Sequence, residues 1–427
     1  MSRQGVRHAA TTFGGFALSM ALLAVASLLA IPALIDAGGP AAWGAVATGQ
    51  SIGAVAAVAL YLGWGISGPA SIARASAAER GREYAEAMAA RGVIALPLLL
   101  LTAGVAVLAA RSHQELAALA SVSAACVGLG AGWYFIGTAA PYRLLVLETV
   151  PRVLGTLVGI ELMRSGAGAA AGLWGQLCGM LVGVLLPTIW ICATTGGPRQ
   201  WARLRRPLPD VMRHQITGVT TTVVSSTYTA LPIVIVGLTS SSALPVFAVL
   251  DKLQKQVYVA FTPVISLLQG WVPRAPTGEL ERRVRTALRV GAAFCAALGL
   301  ALFLVTPWLV DWLGSGHLSA TTLASLLVAS IVSFNLFESV VSRGALVPLG
   351  QLGYVARVTG IGSLVGLALV VPFTLLWGAV GALAAVLAGL VIRVGVELLR
   401  VSEPARPGAA GSAAPLIDAT ENVEVTP

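Results

Sequence analysis

The sequence predicts an all-α, polytopic integral membrane protein with about 12 transmembrane helices in two six-helix halves around a central cavity. Composition and run length lead to this fold class. Of 427 residues, 57% are hydrophobic and 11% are charged, and the mean hydropathy is +0.85. Soluble domains have about 25% charged residues. The apolar runs are about 20 residues long, enough for a helix to cross roughly 30 Å of hydrocarbon.

Twelve spans are predicted along the chain. The first has no obvious signal-peptide cleavage site before the next helix, so it is interpreted as a transmembrane helix. The spans lie near residues 13–35, 41–66, 92–110, 116–140, 146–163, 171–194, 216–238, 244–271, 288–310, 319–341, 355–375 and 377–399.

The distribution of basic residues supports this number of spans, because Lys and Arg in short loops stay cytoplasmic. With both termini cytoplasmic, twelve spans leave only Arg111 and Arg164 outside. Without the fifth span, which contains Glu148 and Arg152, the basic segment 199–213 would be exported. The net charge of +9 is therefore explained by topology, and no nucleic-acid partner is expected. Only two of the 27 basic residues are lysines, which together with abundant Ala and Gly favours a high-GC bacterium and its cytoplasmic membrane.

The long basic connection divides the chain into an N-terminal half, a cytoplasmic linker, a C-terminal half and a tail predicted to be disordered. Their ranges are 1–195, 196–215, 216–401 and 402–427. The segments 30–46 and 230–249 share the order of a small residue, an aliphatic residue, Pro, a turn and then an aromatic residue. Such a repeat predicts a site between the halves that opens alternately to each side of the membrane.

No metal, nucleotide or catalytic site is predicted. The histidines and the four cysteines lack metal-ligand spacing. No nucleotide-binding loop of the G-x-x-x-x-G-K-[ST] type is present in the sequence. The external loops are too short for a carboxylate constellation of the kind a membrane glycosyltransferase needs. We therefore expect no cofactor and no enzymatic activity.

Charged and polar residues lie within the apolar segment 244–271. On a helix they form one stripe, and Lys252 lies beside it. Charges facing lipid cost about 2.5–3.5 kcal/mol each near mid-helix, so the stripe and Lys252 are predicted to line a water-filled cavity. The alternative is a self-neutralising pair four residues apart, with Lys252 reaching the outer surface. The stripe comprises Asp251, Lys255, Tyr258, Thr262, Ser266 and Gln269.

Other polar residues within spans are weaker cavity candidates. The tenth span contains Asn335 and Glu338, and Glu338 could equally form an interfacial ion pair near Arg343. In the N-terminal half, Gln50 is a candidate by polarity, with core packing as the alternative. The hydroxyl groups of segment 217–231 could line the cavity or donate back to their own helix.

Two glycine patterns indicate close helix packing. The sequence "GIGSLVG" at 360–366 has no preceding strand, so it is not interpreted as a nucleotide loop. In the sixth span, Gly175, Gly179 and Gly183 repeat every four residues, a pattern that lets another helix approach closely.

Three stretches carry a family resemblance: residues 39–74, "GWYFIG" at 132–137, and 243–274. Together they resemble the polysaccharide flippases of the multidrug/oligosaccharidyl-lipid/polysaccharide exporter superfamily. Family members often have W-x-F-Q-G followed by an acidic residue, whereas this chain has Ile136 and Thr138 at those places. The first span also lacks the family's usual polar residue.

The resemblance implies a transporter that flips a polyprenyl-pyrophosphate-linked oligosaccharide from the cytoplasmic to the outer leaflet during polysaccharide biosynthesis. Its expected partners are membrane lipid and the glycosyltransferases and polymerase of the same pathway. A cation-coupled multidrug exporter of the same superfamily is the alternative. Such exporters tend to use a carboxylate deep in the first or seventh span, and here neither span has one at its middle.

The topology can be tested by cysteine labelling. Cysteines introduced at Ser240 and Ser315 should react with an impermeant thiol reagent applied to intact cells, whereas one at Gly197 should not, because the basic connections stay inside. Labelling at Gly197 would contradict the twelve-span arrangement.

Overall fold

The computed structural model describes residues 3–196, 207–272 and 279–402. Half of the predicted linker 196–215 and nearly all of the predicted tail 402–427 lie outside the described residues. The described part of the chain is helical and contains no strand. An all-helical fold follows from the composition, because a helix satisfies every backbone hydrogen bond within the segment.

Eight helices precede the gap at 197–206. They are α1 (Arg3–Leu60), α2 (Trp64–Arg74), α3 (Ala77–Ala109), α4 (Gln114–Ala125), α5 (Gly132–Gly137), α6 (Pro141–Leu144), α7 (Val150–Leu162) and α8 (Gly168–Thr194). Short non-α turns interrupt the series: a 3₁₀ turn at Cys126–Leu129 and π-helical turns at Leu145–Thr149 and Met163–Ala167.

Five helices follow the gap. They are α9 (Leu208–Thr239), α10 (Leu244–Trp271), α11 (Leu280–Leu313), α12 (Thr322–Val341) and α13 (Leu352–Ser402), with a π-helical turn at Ser342–Leu346. The Thr321 hydroxyl caps the start of α12 by accepting a hydrogen bond from the Ala324 backbone N–H at 3.1 Å.

Seven helical stretches of the described residues are long and apolar enough to cross a membrane. Three of them, Phe13–Leu60, Pro141–Thr194 and Gly353–Val401, have 48, 54 and 49 residues, more than twice the length of about 20 residues that one crossing needs. The multi-pass membrane fold is therefore confirmed. The exact number of spans stays a prediction.

Each of these three long stretches is broken near its middle. The breaks occur at Gly39, with φ 80°, at the pair Gly166 and Gly168, both with φ 86°, and at Gly378, with φ 58°. A positive φ is readily adopted only by glycine, so these residues let two helices join through a sharp turn. Each long stretch can thus supply two crossings.

The loops that are predicted to lie on the outer side of the membrane contact one another. The Ser315 hydroxyl donates to the Pro32 carbonyl at 3.4 Å, and the Arg111 guanidinium donates to the Leu238 carbonyl. All four residues lie at or next to predicted external turns. The contacts place these turns at one end of the molecule, as alternating spans require. Which side of the membrane that end faces stays a prediction.

A large apolar core joins the two halves of the chain. Trp43 from α1 packs in one buried cluster with Phe247 and Leu250 from α10 and with Val328 from α12. These side chains are each at most 2% exposed. Burial of this cluster holds the N-terminal part of α10 against α1, and that contact positions the charges of α10 described below.

The glycine repeat of α8 packs against α7, as predicted. A Cβ on Gly155 would lie 2.5 Å from the Gly179 Cα, and one on Gly175 would lie 2.8 Å from the Gly159 Cα. The 360–366 pattern also serves packing, because a Cβ on Gly362 would lie 2.8 Å from the Gly389 carbonyl. Both predictions of close helix packing are confirmed.

The α7–α8 contact predicts a position-dependent effect of adding one methyl group. Gly155→Ala should destabilise the protein by about 1–3 kcal/mol, because the new Cβ collides with the backbone of α8. The matched control is Gly104→Ala in α3, where a Cβ meets nothing within 4 Å and improved helix propensity should leave stability unchanged or higher. Thermal unfolding of the two variants in detergent measures the difference. Equal unfolding midpoints would show that the contact is not tight.

Candidate functional site

Two neighbouring cavities lie where α10 meets α1. The first, of about 220 Å³, is lined by α1, α4, α7, α8 and α10. The second, of about 230 Å³, is lined by α1, α9 and α10. Both therefore contain residues from each side of the 197–206 gap. The polar residues of the first are Ser27, Gln50, Ser123, Arg152, Thr156, Gln176 and Lys252. Those of the second are Gln50, Ser51, Ser226, Thr229, Asp251, Lys252 and Lys255.

Lys252 stands in the wall that the two cavities share, together with Trp43 and Gln50. Its Nζ donates to Gln50 Oε1 at 3.2 Å. The alternative in which Lys252 reaches the outer surface is therefore wrong. Packing of Phe247 and Leu250 in the core orients α10 so that both Lys252 and Lys255 face inward.

Asp251 and Lys255 form an ion pair in the second cavity. The Lys255 Nζ lies 2.6 Å from Asp251 Oδ2, and the two side chains are 36% and 9% exposed, respectively. Lys255 also donates to the Thr229 carbonyl of α9 at 3.3 Å, and Gln254 donates to the other Asp251 oxygen at 3.0 Å. The carboxylate is thus well satisfied, whereas the ammonium group is open to the cavity.

The rest of the predicted stripe has other surroundings. Tyr258 hydrogen-bonds to Ser339 of α12 at 3.0 Å, and Gln269 is exposed near the end of α10. Neither residue lines the two cavities, which therefore cover only the N-terminal part of the predicted stripe. The cause is that α10 packs against different helices along its length. The side chains of Thr262 and Ser266 lie outside what the structure describes.

The two α12 candidates also lie away from the two cavities. Glu338 is 6% exposed and pairs with Arg393 of α13 at 2.7 Å, not with Arg343. Asn335 accepts a hydrogen bond from Ser339 through its backbone carbonyl. Glu397, one turn beyond Arg393, is fully buried, and neither of its carboxylate oxygens has a hydrogen-bond partner among the described residues.

The hydroxyl groups of the 217–231 segment divide between the two roles considered. Thr227 donates back to the Val223 carbonyl of its own helix at 2.8 Å. Ser226 and Thr229 line the second cavity. Both interpretations therefore hold, each for different residues.

A second charged group lies in the first cavity. The Arg152 NH1 lies 3.3 Å from Glu148 Oε1, and the other Glu148 oxygen accepts the Ala131 backbone N–H at 3.0 Å. The Glu148 side chain is 6% exposed, whereas that of Arg152 is 20% exposed and lines the cavity. The π-helical turn at Leu145–Thr149, just before α7, places Glu148 beneath Arg152.

Another buried cation, Arg91, is surrounded by aromatic rings and backbone carbonyls. Its guanidinium carbon lies 5.4–5.5 Å from the ring centres of Tyr61, Trp64 and Trp133. It donates to the Gly130 carbonyl at 3.3 Å and to the Tyr61 carbonyl at 3.4 Å. Arg91 is fully buried, so it ties α3 to the "GWYFIG" segment and does not line the two cavities.

Two solved structures share this architecture. The lipid II flippase MurJ in an inward closed conformation matches with a TM-score of 0.63 and 14% identity, over 91% of this chain and 87% of that one. A multidrug-resistance MATE family transporter of the MOP superfamily, inward-facing, matches with a TM-score of 0.60 and 15% identity, over 90% of this chain and 98% of that one. This chain shares their fold. No protein-family model and no curated protein sequence matches the chain.

These matches confirm the predicted fold class and bear on the resemblance found in the sequence. Both solved structures are of membrane transporters, and one is described as a member of the MOP superfamily. The polysaccharide-flippase subgroup is a finer assignment that the fold does not decide. At 14–15% identity the shared feature is the fold itself.

Sequence reasoning did not select several residues of these buried groups. From the sequence, Arg152 and Glu148 are identified only as charged residues of the fifth span, although intramembrane charges usually mark a site or an ion pair. The same rule applies to Arg393 and Glu397, which lie four residues apart in an apolar helix. Charge within an apolar span was the signal that could have identified all four.

The surroundings of Arg91 predict that another positively charged side chain cannot replace its guanidinium. Arg91→Lys should lower the thermal unfolding midpoint, with a loss of about 1–3 kcal/mol, because an ammonium group cannot stack on three rings while reaching two carbonyls. Arg74→Lys, at an exposed position in α2, is the control and should behave as wild type. An unchanged midpoint for Arg91→Lys would mean that the aromatic contacts contribute little.

Proposed function

We propose that this protein is a bacterial flippase that moves a polyprenyl-pyrophosphate-linked oligosaccharide from the cytoplasmic to the outer leaflet by alternating access. The observation that carries the proposal is the pair of cation-rich cavities between the two halves, in a chain that shares the fold of a lipid II flippase. The cavities contain Arg152, Lys252 and Lys255 and a single carboxylate, Asp251. Such a site favours an anion.

The chemistry of the lining suits the polar part of such a substrate. Lysine binds phosphate as a point charge, and charge-assisted hydrogen bonds to phosphate are about twice as strong as neutral ones. The amides of Gln50 and Gln176 supply donors and acceptors for sugar hydroxyls. In this arrangement the polyprenyl tail stays in the lipid, and Asp251 holds Lys255 in position.

Transport requires the halves to separate. Cavities of about 220 and 230 Å³ are far smaller than an oligosaccharide with its diphosphate. The apolar core around Trp43 and Phe247 closes the N-terminal end of α10. In the proposed cycle the halves rock about the charged site, so that it opens first to one side and then to the other.

The proposal places the protein in the bacterial cytoplasmic membrane with both termini inside. Membrane lipid surrounds it, and glycosyltransferases and a polymerase of the same polysaccharide pathway act before and after it. The net charge of +9 needs no nucleic-acid partner in this account.

A multidrug exporter is the second candidate, because the MATE transporter structure matches nearly as well as the flippase. The excess of cations in the cavities disfavours a cationic drug as substrate. Gradient-driven export of a fluorescent cationic drug by the purified protein, without flipping of a lipid-linked oligosaccharide, would establish the exporter instead.

Substitutions in the Asp251–Lys255 pair distinguish a substrate-binding role of Lys255 from a purely structural one. Lys255→Ala should abolish glycan export while the protein still inserts, because the cation is lost and Asp251 is left as a repelling charge. Arg at position 255 should be partly tolerated, because it keeps the charge but changes its shape. Cell-surface glycan is the measurement, normalised to the amount of protein in the membrane.

The double substitution Asp251→Asn with Lys255→Gln is the matched variant. If the residues only neutralise each other, removing both charges also removes the cost of burying them, and export should return. Near-normal export by the double variant would contradict a role of Lys255 in substrate binding.

A further inference from the structure

We propose that the side chains of Arg80, Tyr134 and Arg143 bind the phosphate group of one anionic phospholipid at the edge of the N-terminal half. These three residues, called the rim site below, come from α3, α5 and α6. On the predicted topology the rim site lies in the cytoplasmic leaflet, because basic connections stay inside. The proposal concerns a resident lipid and not the transported substrate, so it does not rest on the proposed function.

The first observation is that Arg143 has no anionic partner among the described residues. Its guanidinium carbon lies 4.5 Å from the centre of the Trp190 ring, and no hydrogen bond or ion pair joins its side chain to the rest of the described chain. Arg285, also exposed, is by contrast paired with Glu281 at 3.3 Å. The indole holds the Arg143 cation by a cation–π contact and leaves its N–H donors available for a phosphate.

The second observation is a nearly buried phenol without a hydrogen-bond partner. Tyr134 is 4% exposed and packs edge-on against the rings of Tyr84 and Phe135, yet its hydroxyl has no partner among the described residues. A buried tyrosine hydroxyl usually finds one, and that of Tyr84 bonds to Thr188 at 3.0 Å. The Tyr134 hydroxyl is therefore a free donor whose position is fixed by ring packing.

The third observation is that two cations lie near this hydroxyl. The charges of Arg80 and Arg143 both act on the Tyr134 hydroxyl. The Nε of Arg80 donates to the Ile72 carbonyl at 3.0 Å, and α5 ends against the same residue, since a Cβ on Gly137 would lie 2.7 Å from the Ile72 Cβ. Two guanidinium groups beside one phenol offer donors from three elements, and their charge selects an anion.

The carboxylates next to Arg80 in α3 have other partners. Glu83 accepts a hydrogen bond from the Ser71 hydroxyl at 2.7 Å, and Glu79 accepts the Ser76 backbone N–H at 3.0 Å in the capping box that begins α3. No ion pair joins either carboxylate to Arg80 in the described part of the chain. The terminal nitrogens of Arg80 therefore remain available to a ligand from outside the protein.

An exposed aliphatic surface begins one helical turn from Arg143. Val146 and Leu154, in the helical stretch that starts with α6, and Leu185 and Ile189 of α8 are each more than half exposed. In a membrane-spanning protein such side chains contact acyl chains. A phospholipid covers both the cations and this apolar surface, whereas a soluble phosphate compound covers only the cations. Basic sites between helices at the cytoplasmic side are known to bind anionic head groups.

The test compares the binding of phosphatidylglycerol and phosphatidylcholine to the purified full-length protein by native mass spectrometry in detergent. Phosphatidylglycerol should bind more tightly, because its head group carries a net negative charge. Arg80→Gln and Arg143→Gln should each weaken its binding about fivefold. Arg357→Gln, at an exposed position of α13 on the same predicted side, is the matched control and should bind as wild type. Equal losses in Arg357→Gln and Arg143→Gln would indicate diffuse attraction to a basic surface and overturn the site.

Two conservative variants separate lipid binding from folding. Tyr134→Phe keeps the ring contacts and removes only the hydroxyl, so phosphatidylglycerol binding should fall while the unfolding midpoint in phosphatidylcholine nanodiscs stays that of the wild type. Arg143→Lys keeps the charge but loses the planar donors, so its affinity should lie between those of the wild type and Arg143→Gln. A Tyr134→Phe variant that binds phosphatidylglycerol as wild type would exclude the hydroxyl from the site.

Stabilisation by the lipid gives a second readout. Phosphatidylglycerol added to the nanodiscs should raise the unfolding midpoint of the wild type, as a ligand of the native state does, and should raise that of Arg143→Gln by less. Equal rises in the two proteins, or unchanged phosphatidylglycerol affinity in Arg143→Gln, would contradict the proposal.

Inorganic phosphate distinguishes a lipid site from a site for a soluble anion. It offers the same oxygen atoms without acyl chains, so at the concentration of the lipid it should not displace phosphatidylglycerol. Displacement would assign the three residues to a soluble phosphate compound and reject the phospholipid. Equal binding of phosphatidylcholine and phosphatidylglycerol by the wild type would reject a site that selects an anion.

Discussion

The cost of placing charge inside a membrane-spanning bundle is the constraint on which this structure depends. Each buried carboxylate at the centre of the fold except Glu397 has a partner: Asp251 has Lys255, Glu148 has Arg152 and Glu338 has Arg393. Removing one member of such a pair typically costs about 3–5 kcal/mol. Lys252 is the exception among the cavity cations, since its partner is a neutral amide. The account of function follows from that exception.

The position of these charges follows from how the helices pack. An apolar core joins α1 to α10, and glycines bring the backbones of α7 and α8 together. These contacts place Arg152 and Lys252, 100 residues apart in sequence, in the wall of one cavity. A site made from both halves changes shape whenever the halves move, which is what alternating access requires.

The fold class could be predicted from composition and run length, because hydrocarbon leaves the backbone almost no alternative to helices. The inward direction of Asp251 and Lys255 followed from their spacing. For Lys252 the sequence left the outer surface as an alternative to the cavity, because adjacent residues on a helix point about 100° apart. Only the neighbouring helices decide whether a cavity spans both directions. The Glu338–Arg393 pair joins residues 55 positions apart, so it depends on tertiary packing that no local pattern reports. The contact of Tyr258 with α12 is of the same kind, since spacing alone places this residue on the stripe and does not report its neighbour.

The central claim is that a cation at the meeting point of the two halves binds an anionic, lipid-linked substrate during transport. Its most direct test is flipping of a fluorescent polyprenyl-pyrophosphate oligosaccharide in proteoliposomes, comparing wild type with Lys252→Gln at equal reconstitution. The account predicts that the wild-type protein moves the labelled sugar across the bilayer and that Lys252→Gln, correctly inserted, does not. Equal flipping by both proteins, or none by the wild type, would contradict it.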